Sequence, residues 1–179
     1  MAAAEPKRPH PGVLAQGRDY LLFTDNDMLH NRVEFILANP DQSSPIAAMK
    51  VGVYRRHGEP ATVITTIAPR KGIDTAQHPV FDQSRMIYPN HLDSAGEYKR
   101  EFVEGLGAAS HMHYAREGIE GILKAVPEKL QAAYAQFKQL ATSPESQLLS
   151  SPPARQKTLL APLVKELDRG TGMGSPAAG

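Results

Sequence analysis

The chain contains no cysteine, which removes disulfides, thiolate nucleophiles and cysteine-ligated zinc or iron–sulfur sites from its chemistry. That absence fits the cytoplasm or another reducing compartment. No stretch approaches the roughly 18–20 apolar residues that cross a bilayer, so membrane insertion is not expected. No apolar run follows the basic residues near the start, which argues against a Sec signal peptide. Charge of one sign is also lacking: 20 Lys and Arg stand against 19 Asp and Glu, a formal net charge of +1. No global field therefore draws the protein to nucleic acid or to an anionic membrane, and any such binding has to be local. A His-Glu-x-x-His helix, a Gly-x-Ser-x-Gly elbow, a Walker loop and a Gly-x-Gly-x-x-Gly turn are all missing, so no motif names a cofactor or a large enzyme class.

What remains is a chain of 179 residues with 41% apolar and 22% charged side chains, enough apolar surface for one core. Fifteen prolines and 14 glycines cluster near the ends and between periodic segments, where they break regular structure. Residues 1–17 and 170–179 read as tails by composition, leaving 18–169 as one domain. The continuous apolar run from Tyr20 predicts a strand. Residues 32–37 alternate, with Val33, Phe35 and Leu37 on one side and Arg32 and Glu34 on the other, which predicts a second strand with one buried and one wet face.

After a Pro-, Asn- and Ser-rich loop, Met49, Val51 and Val53 alternate with Lys50, Gly52 and Tyr54. The β-branched run 62–67 then returns the chain past the tip at 55–60. Residues 68–93 read as irregular, with a short strand at 85–88. Ser94 and Glu97 match a capping box that opens a helix. Its stripe continues through Tyr98, Phe102, Met112 and Val126, interrupted by glycines that allow a break near Gly107. Leu130, Ala133, Tyr134, Phe137, Leu140 and Ala141 predict a helix at 3.6-residue spacing. A last one spans about 158–169, with Pro162 tolerable only near its start. The expected fold class is α+β: a small antiparallel β-meander at 19–67 packed against C-terminal helices at about 94–142 and 158–169.

The sharpest chemical constellation is Ser110-His111-Met112-His113-Tyr114-Ala115-Arg116-Glu117. On a helix, His111 and His113 diverge by about 200° and His113 aligns with Glu117; the two histidines converge only if the segment is extended. His113 and Glu117 are candidate catalytic residues, with His91 and Asp93 from the preceding loop, and His111, His113 and Glu117 are candidate metal ligands. The competing account is a solvent-facing contact, under which metal would not stabilise the protein.

The run into Asp25-Asn26-Asp27 superficially resembles the phosphatase motif of haloacid-dehalogenase-like enzymes. The match fails, because the helix soon after the motif and the later acidic pair behind a strand are missing; turn capping accounts for these carboxylates. Arg55, Arg56, Arg70 and Lys71 form two basic loops, expected to be separate. The leading expectation is a binding or regulatory protein that contacts another protein. A small hydrolase or transferase around His113 and Glu117 is the alternative, and nucleic-acid or phosphate binding through the basic loops is the weaker one.

Overall fold

The computed structural model describes residues 10–26, 30–87, 94–116, 120–124 and 126–169. Seven strands form one antiparallel sheet in the order β1-β2-β3-β4-β5-β7-β6. They are β1 Val13–Gln16, β2 Tyr20–Asn26, β3 His30–Ala38, β4 Ile46–Arg56, β5 Thr62–Pro69, β6 Phe81–Ile87 and β7 Met112–Ala115. The helices are α1 Ser94–Gly105, the single turn α2 Glu120–Leu123, α3 Glu128–Thr142 and α4 Pro153–Arg169. The α+β class is therefore as the alternating strands imply. Among the described residues, no helix is long and apolar enough to cross a membrane.

Both sheet faces carry apolar cores, because the strand alternation meets helices on each side. On one face Leu22, Val33, Phe35, Leu37, Val51 and Val53 pack with Phe137, Leu160, Leu163 and Leu167 of α3 and α4. The Phe35 and Phe137 rings lie 5.4 Å apart and tilted, a favoured aromatic geometry. On the other face Leu21, Phe23, Ile36 and Ala68 pack with Ala95 and Val103 of α1 and with Met112. The face expected to be wet is thus partly roofed by α1.

Three local differences from the sequence reading have physical causes. The segment assigned to the N-terminal tail contains β1, which pairs with β2, for example Ala15 with Leu22. The helical span at 94–142 is interrupted. Gly107 adopts φ 78°, a left-handed conformation that glycine enters without steric cost. There Gly107 N–H donates to the Glu104 carbonyl at 2.9 Å and Ala108 N–H to that of Val103 at 3.3 Å. This is a Schellman ending. The chain then reverses, and β7 slots between β5 and β6. Finally, α4 begins at Pro153, so Pro162 lies well inside it rather than near its start. Pro162 is exposed, so water can reach the turn whose backbone bond the ring removes.

Arg70, at the end of β5, braces the β3–β4 loop. Its guanidinium donates to the carbonyls of Ser44 at 2.8 Å, Asp41 at 2.9 Å and Ile46 at 3.1 Å. Charge-assisted bonds of this kind are the stronger ones. Arg70→Ala is expected to cost about 2 kcal/mol in urea denaturation; a loss under about 0.5 kcal/mol would mean that the loop holds itself.

Candidate functional site

The most unusual chemistry lies between the sheet and α1. Directly paired residues of antiparallel strands share a face. Glu34 pairs with Phe23 and Gly52, Arg32 with Asp25 and Tyr54, and Lys50 with Ile36 and Thr66. These polar residues therefore stand on the α1 side. From above, α1 adds Lys99, four residues after Ala95 and four before Val103, so all three fall on one stripe of the helix. Glu34, Lys50 and Lys99 are 1%, 2% and 0% exposed.

Glu34 is the hub. Lys99 Nζ donates to Glu34 Oε2, Lys50 Nζ lies 3.4 Å from Glu34 Oε1, and the Tyr54 hydroxyl donates to the same oxygen at 3.2 Å. Arg32 Nε is 3.8 Å away, and the Arg32 guanidinium also pairs with Asp25. Burial alone would raise the Glu34 carboxyl; Lys50, Lys99 and Arg32 outweigh it and hold Glu34 well below the usual carboxylate range. Burial pushes the Lys99 ammonium down to about 8, against the upward pull of Glu34. Lys99 Nζ also sits 4.3 Å from the Phe23 ring centroid, a cation–π contact. Gly52 makes the arrangement fit: a Cβ there would lie 2.8 Å from the Tyr54 ring and hydroxyl, so the bare backbone lets Tyr54 lean back toward Glu34.

Beyond α1 the same face opens. Arg32, Tyr54, Ile64 and Tyr114 are half-buried and Arg85 is exposed. Two arginine–tyrosine stacks mark this strip, with the Arg32 guanidinium 5.6 Å from the Tyr54 ring centroid and that of Arg85 4.0 Å from Tyr114. Tyr114 pairs with Thr66, which pairs with Lys50, and Ile64 pairs with Gly52. The open strip thus adjoins the buried charges directly. Among the described residues four cations, Arg32, Lys50, Lys99 and Arg85, stand here against the carboxylates of Glu34, Asp25 and Asp82, the last of which acts on Arg85.

The residues singled out from the sequence are distributed differently. His113 lies on β7 with its ring against Phe81, on the opposite face from the charge cluster, and is 4% exposed. His111 precedes β7, its ring centroid 5.3 Å from that of His113. The segment is extended, not helical, so the 200° divergence expected of a helix does not apply. Glu117, His91, Asp93 and Asp27 lie outside the described residues. Arg55 and Arg56 end β4, whereas Arg70 sits beside Ile46 at that strand's start; the strand is 11 residues long, about 33 Å from end to end at some 3.3 Å per residue. Lys71 joins Arg70 there, its N–H donating to the Gly107 carbonyl at 3.0 Å. The two basic pairs do not meet. A shallow cleft near Arg55 is lined by Glu59, Pro60, Thr142, Pro144 and Gln147.

Together, fold and site define an α+β protein with a sheet covered on one face and half-roofed over buried charge on the other. Comparison with family models, with curated proteins and with solved structures found no match for this chain.

Proposed function

We propose that the protein is a binding module that takes an acidic segment of another protein on the open strip beside α1. The observation that carries this reading is the pair of arginine–tyrosine stacks, Arg32 with Tyr54 and Arg85 with Tyr114, on one sheet face. Arg and Tyr are the residue types that dominate binding hot spots, because each offers broad contact area together with a polar handle. Stacking holds each guanidinium in place, so less side-chain entropy is lost when a partner docks. The cations beneath and beside the strip outnumber its carboxylates, which favours Asp or Glu in the partner and fast association at low salt. Half-buried Ile64, next to Gly52 across the β4–β5 pairing, offers apolar surface between the two stacks.

Selection of a random 12-residue peptide library against the whole chain tests the reading. Enriched sequences are expected to be rich in Asp and Glu, to lose at least tenfold in affinity between about 50 and 200 mM NaCl as surface pairs are screened, and to fail against the double variant Arg85→Glu, Tyr114→Ala. Neutral or basic winners, or acidic winners that bind the double variant equally well, would overturn it. Both substitutions lie outside the buried ion cluster, so the variant is expected to fold.

A further inference from the structure

A second site stands on the other face of the sheet, where β7 carries His113. Both ring nitrogens of His113 are buried and make no hydrogen bond among the described residues. A neutral imidazole has one donor and one acceptor, and leaving either unpaired in the interior costs about 1–3 kcal/mol. Purely as packing, Phe or Leu would serve better between Phe81 and the sheet. Beside it stands His111. It sits in the bend just before β7, and the two rings come together with centroids 5.3 Å apart and planes at 70°.

That spacing matches chelation. With Zn–N bonds of about 2.0–2.1 Å and near-tetrahedral angles, two imidazoles on one ion have ring centroids roughly 5 Å apart.

We infer that His111 and His113 form a two-imidazole site for a divalent transition metal of the zinc, copper or nickel type. Imidazole nitrogen suits these ions and not magnesium or calcium, which prefer oxygen. Among the described residues no set of three His, Asp or Glu is gathered for an ion. The described residues therefore contribute two nitrogen ligands, and the remaining positions fall to other donors. The ion lowers the cost of the buried imidazole by giving one of its nitrogens a partner. His78, whose ring lies 6.5 Å from that of Phe81 and edge-on to it, is not gathered with the pair and serves as a control. This site is independent of the peptide-binding strip, which occupies the opposite face.

The test uses the full chain with ZnCl2 in calorimetry and CoCl2 in visible absorption. Wild type is expected to bind one equivalent of Zn2+, to show cobalt d–d bands of a low-coordinate nitrogen site, and to gain thermal stability with metal. His111→Ala and His113→Phe are each expected to weaken binding at least tenfold and to abolish the cobalt bands, whereas His78→Ala leaves both unchanged. His113→Phe keeps an aromatic ring in the core; should it fail to fold, His111→Ala, at a less buried position, carries the test alone. Absence of zinc binding by wild type at millimolar metal overturns the inference, and so does binding that survives in His111→Ala.

Discussion

Glu34→Gln is expected to cost about 3–5 kcal/mol in chemical denaturation, because it leaves two buried ammonium groups without their counter-charge. Lys99 and Lys50 both converge on this carboxylate, and neither can turn to water without lifting α1 or opening the sheet. Removing the attraction leaves the desolvation penalty in place. The double variant Glu34→Gln, Lys99→Met should recover part of the loss, since the methionine has similar volume and carries no charge to bury.

The same group fixes the response to acid. The Glu34 pKa is depressed on folding, so its contribution is present above the ordinary carboxylate value of 4.5 and is lost as pH falls below it and the unfolded chain takes up the proton first. Wild type should lose stability as pH drops from about 5 toward 3. Glu34→Gln should show a shallower dependence over that window. Equal slopes, or a cost below about 1 kcal/mol at neutral pH, would mean that the cluster is solvated.

Phe137→Ala is expected to destabilise by about 3–5 kcal/mol, the cost of an aromatic-sized cavity in a packed core. Phe137 is 0% exposed, on the face of α3 that meets Phe35, and its neighbours belong to a sheet, a poor candidate for collapse into the gap. Phe137→Leu should cost less, because it preserves most of the volume. A loss under about 1 kcal/mol for the alanine variant would contradict the packing of α3 on the sheet.

Much of this fold was legible because a continuous apolar run marks β2, alternation marks β3 and β4, and a β-branched run marks β5, whatever covers the other side. The burial of Phe137 followed from its place at the centre of a 3.6-residue stripe. What alternation cannot tell is whether a polar face is wet. Glu34, Lys50 and Tyr54 read as solvent-facing by residue type, yet α1 covers the first two. The readable signal was their complementarity: a carboxylate on one strand, an ammonium and a phenol on its neighbour, and Lys99 in helical register with Ala95 and Val103. A lysine on that stripe needs a buried counter-charge, and Glu34 provides it.

β7 was missed for a different reason. Four residues are too few for a period of two to outweigh a helical stripe that continues through Met112 and Val126, so local pattern favoured helix while pairing with β5 and β6 decided for strand. The positive φ of Gly107 was the punctuation that separated them. β1 was hidden similarly, its four residues lying among prolines and glycines and depending on β2 for every ladder bond. The histidine pair followed from the same correction, since His111 and His113 diverge on a helix and meet where a bend leads into β7.

The central claim is that the open strip beside α1 receives an acidic partner segment. Nuclear magnetic resonance mapping tests it most directly: the isotope-labelled chain is titrated with an Asp- and Glu-rich peptide from the library selection, and amide and side-chain shifts are followed residue by residue. The account predicts shifts concentrated at Arg32, Tyr54, Ile64, Arg85 and Tyr114, with weaker effects at Lys50 and Lys99 beneath them. Shifts centred instead on the cleft formed by Arg55, Glu59, Thr142 and Gln147, with the strip unchanged at saturation, would contradict it.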